Sequence, residues 1–285
     1  MYNRQSILLK SIIRSKIVIY GSCIVIIFLI IAIFAPYIAP NDPLEQNLAS
    51  RLTGGFWVGN FKYALGTDSL GRCVLSRIIN GARITLLIGV FSVTIMFLFG
   101  TVLGLISGYF GGKIDIFIMR FTDIMLAFPD ILLAIAIMAA LGPKISNAVI
   151  ALGLTGTPRI TRLVRGCVLA ERSEEYIDAA IALGIPTYRI LLLHILPNIT
   201  STIIVLASLN FGTSILYIAS LGFLGLGVQP PTPEWGAMIS EGRQLLVLGK
   251  WWLATFPGLS ITIVTLGFVF FGQGLRDILD PRLKR

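Results

Sequence analysis

The sequence predicts an all-α integral membrane protein with six transmembrane helices and both termini in the cytoplasm. Three observations carry that expectation. Hydrophobic residues make up 55% of the 285-residue chain and charged residues 13%, against about 25% charged in soluble domains. With a mean hydropathy of +0.87, a water-facing protein would lack the polar side chains to cover its surface. Six stretches are also near the ~20 apolar residues that a bilayer crossing needs. Finally, 15 of the 23 basic residues fall in segments that this count places inside, as the positive-inside rule requires.

The spans run 17–39, 84–109, 117–141, 145–164, 199–228 and 251–272. The first is longer than the apolar region of a signal peptide and no small-residue cleavage site follows it, so it reads as a retained span. It ends in FAPYIAPNDP, where Pro36, Pro40 and Pro43 stop a helix. A long outer segment follows, to about Asn80. The second span carries Gly100, Gly104 and Gly108 at intervals of four. This spacing lets helices approach closely in lipid and reads as static packing rather than a moving contact. The third span is interrupted by Asp123 and Asp130, with Pro129 between them. Its membrane part is expected to lie after Pro129. The fifth loosens at Gly222, Gly225 and Gly227 into an outer loop at about 229–250.

Basic residues expected inside include Arg4, Lys10, Arg14, Lys16, Lys113, Arg120, Arg159, Arg162, Arg165, Arg172 and Arg189, with Arg276, Arg282, Lys284 and Arg285 at the end. The charge of +9 is thus spent on topology, and nucleic acid is not an expected partner. Cys23, Cys73 and Cys167 are too scattered for a disulfide framework or a metal site. No internal repeat is evident, so an inverted-repeat carrier finds no support.

Catalytic constellations are missing. The single histidine, His194, lies in an inner loop beside Pro197 without an obvious partner; a structural role is expected over the membrane-enzyme alternative. Asp123 and Asp130 are the only span carboxylates on which an ion-coupled carrier or channel could rest. There is no G-x-x-x-x-G-K-[ST] phosphate loop: Gly111-Gly112-Lys113 lacks its other elements and Gly249-Lys250 precedes tryptophan. Any ATP is therefore expected on separate chains.

The inner stretch ERSEEYIDAAIALGIPTYRILLLHILPN, residues 171–198, is the candidate functional segment. A short helix is predicted over 174–183, with Ser173 as N-cap and Glu174 and Glu175 in the first turn. Tyr176, Ala179, Ala180 and Leu183 share one face. Gly184 follows the helix end and Pro186 blocks continuation. A second helix presents Tyr188, Leu191, Leu192 and Ile195, and Pro197 separates it from span five. Helices that lie on lipid favour Lys and Arg on the polar face, yet Glu171, Glu174, Glu175 and Asp178 outnumber Arg172 here. A protein groove suits a short helix with an apolar stripe and central alanines better.

These residues resemble a known family. D178-A-A-x-x-x-G184 followed by H194-I-L-P-N198 resembles the cytoplasmic EAA loop of ABC-importer permeases, with Asp178 in place of the usual glutamate. GTDSLGRCVLSRIINGAR, residues 66–83, resembles the outer motif of the dipeptide, oligopeptide and nickel group, with Cys73 where aspartate is usual. FAPYIAPNDP, DIMLAFP and PPTPEWGAMISEGR also look like this group and its second, C-type, membrane subunit.

The resemblance implies a type I ABC importer permease fold in a bacterial-type cytoplasmic membrane. It divides the chain into 1–82, a core of five helices over 83–272 with its coupling loop at 166–198, and a tail from 273. The partners implied are two ATP-binding subunits that hold ATP and Mg, a related permease chain and an extracytoplasmic solute-binding protein. The cargo would be di- or oligopeptides, or alternatively nickel or another small solute. Glu174, Glu175, Tyr176, Asp178, Ala179, Ala180, Gly184 and Pro197 would couple to the ATPase, with Ala180 and Gly184 at close approach. Gly66, Thr67, Asp68, Gly71, Arg72, Glu234 and Arg243 would either meet the binding protein or brace one another. Residues lining the pathway are not identifiable this way.

Overall fold

The computed structural model describes residues 15–279, and these fold into helices joined by mostly short loops. Arg4, Lys10, Arg14, Arg282, Lys284 and Arg285, expected inside, lie outside the described residues. The helices are α1 (Lys16–Ile38), α2 (Val74–Phe110), α3 (Gly112–Leu126), α4 (Asp130–Leu141), α5 (Ile145–Arg172), α6 (Glu175–Ala182), α7 (Thr187–Phe223), α8 (Trp235–Arg243) and α9 (Trp252–Leu279). Helix α2 packs on α1, α5 and α7, and α9 lies against α1, α7 and α8.

Four helices, α1, α2, α7 and α9, are long and apolar enough to cross a bilayer, and the bent pair α3–α4 makes a fifth. The third expected span is that pair, broken by 88° between Leu126 and Asp130. Proline disfavours helical geometry in the residue before it, so Phe128-Pro129 marks the corner. At 12 residues, α4 is about 18 Å long, too short to cross alone. The fourth expected span corresponds to α5, which is long enough at 28 residues but is diluted by threonines and arginines.

Two proline expectations need correction. Pro36 does not end α1; it sits in the last turn, and the Ala39 N–H still bonds the Ala35 carbonyl at 3.1 Å. Nor does Pro197 separate two helices. The chain runs helically from Thr187 to Phe223, with a wider π segment over Ile190–Ile195. A widened turn directly before Pro197 relieves the clash its ring would make with the preceding turn. The second expected span also starts early. Helix α2 begins at Val74 rather than at position 84 and passes the 82/83 boundary unbroken. Its first turns carry Ser76 and Arg77 because both are buried among outer-segment residues.

The ridge of three glycines forms the main helix contact. A Cβ built on Gly100, Gly104 or Gly108 would lie 2.7–2.8 Å from Cβ of Ile160, Val164 or Val168 on α5. The β-branched side chains of α5 fill the gaps that the missing side chains leave. Gly153 of α5 reciprocates, with Ile95 of α2 pressed against it. Nothing larger than hydrogen fits at Gly104 unless the helices part. Gly104→Leu is expected to destabilise the fold by about 1–3 kcal/mol. Gly166→Ala, where a Cβ meets nothing within 4 Å, is expected to be neutral or slightly stabilising. Graded unfolding of the purified protein in mixed micelles compares the two.

Candidate functional site

Helix α6 leaves α5 through a two-residue corner, Ser173-Glu174. Ser173 does not cap α6 as expected; its hydroxyl donates back to the Ala170 carbonyl at 2.7 Å and closes α5 instead. Glu174 takes the N-cap position without a side-chain cap. Glu175 and Asp178 lie in the first turn, where the helix dipole favours negative charge.

The expected single apolar stripe of α6 is divided between two faces. Ile177 is fully buried and Ala180 is 5% exposed; both join the chain's own core. Tyr176, Ala179 and Leu183 point outward, Leu183 being 80% exposed. Ala180 therefore cannot be a point of close approach for a partner, because its small side chain is already used to seat α6 on its own protein.

Gly184 has φ +72°. The Gly184 N–H reaches the Ile181 carbonyl at 2.9 Å and the Ile185 N–H reaches the Ala180 carbonyl at 3.1 Å. This is a Schellman end, with the hydrophobic contact between Ile185 and the core that accompanies it. A Cβ on Gly184 would meet nothing within 4 Å. The glycine serves backbone geometry rather than intrachain packing.

A polar bracket ties α5, α6 and α7 together. The Tyr176 hydroxyl donates to Glu171 at the end of α5. Asn198, one residue past Pro197 in α7, donates to Glu171 at 2.7 Å and to the Tyr176 oxygen at 2.8 Å. Burial and the Glu171 carboxylate both hold the Tyr176 phenol above its usual pKa, so it remains a neutral donor at physiological pH. His194 packs its ring 6.5 Å from that of Tyr176, an aromatic contact at the same junction. Glu171 and Asn198 were not expected as partners. The signal that could have exposed them is polar residues at the two helix ends nearest the loop.

Farther along α5, Arg159, Arg162 and Arg165 recur every third residue. Arg159 pairs with Asp130 at 2.7 Å, Arg162 pairs with Asp123, and Arg165 grips Asp115 with two bonds of 2.6 Å. These aspartates lie on α3 and α4, so three ion pairs tie the bent pair to α5. The sequence alone marks these arginines only as topology signals. Both carboxylates that an ion-coupled carrier would use have arginine partners.

The outer motif is an internal brace. Asp68 and Arg72 are 5% and 3% exposed, and Glu234 is fully buried. Asp68 accepts the Leu70 and Arg72 backbone N–H groups, both at 2.9 Å, and pairs with Arg72 Nε at 2.6 Å. Arg72 and Arg77 both reach Glu241 of α8, at 3.2 and 3.3 Å. Arg77 and Glu241 complete a network of two acids and two bases that spacing alone did not reveal. Thr67 bonds the Ser50 carbonyl and accepts from the Thr53 N–H. Gly66 and Gly71 have φ +79° and +75°, and a Cβ on Gly71 would overlap the Asn47 carbonyl. Arg243 alone faces outward, over the Phe223 ring at 4.9 Å. Cys73 stands at the N-cap of α2 without giving a side-chain bond.

Glu234 caps α8, accepting the Gly236 and Ala237 N–H groups at 2.8 and 2.9 Å. Burial raises its pKa to about 7, and those two bonds offset part of the rise. Because the native carboxyl holds its proton more tightly than the unfolded one, its contribution is full below pH ~4.5 and is lost as pH rises toward 7. The stability difference between wild type and Glu234→Gln is expected to shift by a few kcal/mol across that window, with wild type favoured at the acid end. Chemical unfolding of the detergent-solubilised protein at pH 4.5 and 7.5 measures it.

Comparison with known proteins follows this layout. The family described as binding-protein-dependent transport system inner membrane component matches residues 100–285. The N-terminal TM domain of oligopeptide transport permease C matches residues 7–54. The dipeptide transport system permease protein DppC of Alkalihalophilus pseudofirmus is 50% identical over 275 residues, 96% of this chain and 89% of the relative. The di/tripeptide permease DppC of Pseudomonas aeruginosa is 44% identical, covering 96% and 91%. The glutathione permease GsiD of Pectobacterium atrosepticum is 42% identical, covering 96% and 90%. With more than half of its length matched and such identity held from end to end, the chain belongs to the family of binding-protein-dependent transport system inner membrane components.

Proposed function

We propose that this chain is the membrane permease subunit of an ATP-driven, binding-protein-dependent importer and that it carries di- or oligopeptides. It crosses a bacterial cytoplasmic membrane six times with both termini inside, the α3–α4 pair and α5 making the third and fourth crossings. Two separate ATP-binding subunits hold ATP and Mg. A related permease completes the pathway, and an extracytoplasmic solute-binding protein delivers the cargo. The named substrates of the relatives, dipeptides, tripeptides and glutathione, support the peptide reading over nickel.

One observation carries the proposal: α6 is a small exposed helix seated by Ile177 and Ala180 and bracketed to α5 and α7 through Tyr176, Glu171 and Asn198. Its free face offers Glu175 and Asp178 in the first turn, then Ala179 and, at the C-cap, Leu183, an acidic end followed by an apolar one. Such a face fits a groove with a basic rim. A helix tied to two long helices at once transmits displacement to both. When ATP closes the ATPase dimer, α5 and α7 follow, and the pathway changes the side to which it opens. ATP moves that balance only through its different affinity for the two states.

Leu183→Asp puts a charge on the exposed C-cap of α6, beside the free face, without touching the core. It is expected to cut co-purification of the ATPase subunits and ATP-driven peptide uptake by about ten-fold or more, with the thermal stability of the isolated permease unchanged. Wild-type association and uptake in reconstituted vesicles would refute the coupling role of α6.

A further inference from the structure

Two loops are joined by indole rings at the end of the bundle where α9 begins. Trp57 lies in the short turn Phe56–Val58, and its ring centroid is 5.0 Å from that of Trp251 and 5.8 Å from that of Phe256. Trp252 opens α9 and Phe256 follows four residues on, about 6 Å along the axis. The Trp57 ring therefore lies beside the first turn of α9. That helix is long and apolar enough to cross a bilayer. Lys250 and Arg276 bracket a stretch without charge, about 39 Å long as a helix, against about 40–45 Å for a bilayer with its headgroup regions. The fit puts Lys250, Trp251 and the attached turn at headgroup level.

Both loops hold large apolar side chains in the open. Phe56 and Val58 are exposed, as are Leu246, Val247 and Leu248, with Val247 exposed by 91%. Backbone bonds fix both turns in that form. The Phe56 N–H reaches the Ala64 carbonyl at 2.9 Å, and the Gly59 N–H reaches the Phe56 carbonyl at 3.1 Å. Gly249, with φ +71°, lets the Lys250 N–H return to the Leu245 carbonyl at 3.1 Å. On α9 a row of exposed apolar residues starts one turn beyond Phe256, with Leu259, Ile263, Leu266 and Phe270 at intervals of four, three and four. Contiguous apolar surface of this kind marks contact with a membrane or another protein. The charges distinguish the two. Residues 51–65 and 244–256 carry three charged side chains, Arg51, Lys62 and Lys250, all basic. Lys62 lies over the Tyr63 ring at 5.4 Å and Lys250 over the Trp252 ring at 5.3 Å.

We infer that the two loops form one patch that lies in the membrane interface and binds anionic phospholipid. Trp57 and Trp251 sit among the headgroups, the aliphatic tips enter the upper acyl region, and Lys62 and Lys250 meet lipid phosphates. Tryptophan with its polar edge toward water, lysine and exposed aliphatic residues are the side chains that a membrane interface favours. The inference rests on α9 being a span. Its consequence is positional. The buried Trp252 donates to the Thr67 carbonyl at 3.3 Å, so the brace around Asp68 is fastened to the same indole cluster. Lipid held by the patch sets the height of that brace over the membrane plane.

The test uses the complete transporter in vesicles of phosphatidylethanolamine and phosphatidylglycerol. A phosphatidylglycerol with a diazirine on its acyl chain close to the glycerol is activated by light, and crosslinked peptides are located by mass spectrometry. Crosslinks are expected on 56–61 and 246–251, and a phosphatidylcholine probe at the same mole fraction is expected to give about five-fold fewer. Equal yields overturn the assignment of Lys62 and Lys250 to phosphates. Crosslinks on α1 and α9 with none on the two loops overturn the patch and leave the spans in place; none anywhere on the chain removes the span reading as well. Depth is read from a nitroxide on Val247→Cys, with Cys23 and Cys167 replaced by serine and the buried Cys73 kept. Its collisions with oxygen are expected to exceed those with water-soluble chromium oxalate. A label open to chromium oxalate until the binding protein arrives makes the loops a protein-docking face, and a label shielded from both reagents means burial under a neighbouring chain; either result overturns the inference. If the variant does not assemble, the crosslinks of the wild-type complex decide.

Discussion

The clasp between α5 and the bent pair sets the positions of most functional groups. On one side, α5 is pressed against the glycine ridge of α2, close enough that a single Cβ would overlap Ile160, Val164 or Val168. On the other, its three arginines hold Asp115, Asp123 and Asp130. Close packing without charge would leave α3 and α4 free to slide, since lipid offers no hydrophobic drive between apolar helices. Charge without close packing would leave the arginines exposed to lipid at several kcal/mol each. Together they fix the corner at Pro129, and with it Asp130 against Arg159.

From that clasp, α5 runs directly into the inner corner. The bracket of Glu171, Tyr176 and Asn198 joins the last turn of α5 to the first of α6 and to α7 just past Pro197. The π segment before Pro197 belongs to the same device. It allows α7 to continue as one helix from Thr187 to Phe223, which makes the segment a single rigid rod. A break at the proline, as the residue type alone would suggest, would have put a hinge there.

What the residues revealed beforehand was whatever local chemistry decides. The apolar runs of α1 and α9, the small helix after Ser173, and the left-handed Gly184 follow from composition, spacing and backbone freedom. What they hid was decided by neighbours far along the chain. Ser173 caps the helix behind it because Glu174 is the residue in extended geometry. Ala180 faces inward beside Ile177, while Leu183, at the helix end, is left 80% exposed. Arg159, Arg162 and Arg165 looked like topology signals, since nothing in α5 shows that three aspartates lie opposite. Arg77 and Glu241 are separated by most of the chain, and only the fold brings them within 3.3 Å.

The outer motif shows why charged residues in a loop are poor evidence of a docking surface. Asp68, Arg72 and Arg77 are each at most 5% exposed, and their partners are one another and Glu241. Buried ion pairs contribute little net stability because desolvation opposes attraction, but removing one member strands the others. Such a network therefore fixes geometry. It holds the start of α2 against α8, while Glu234 caps α8 and Trp235 bonds the Ile78 carbonyl at 3.0 Å. Gly81 and Gly222 admit the indole and the Glu234 carboxylate where a methyl group would collide. The result is a rigid cap whose charges are already committed to one another.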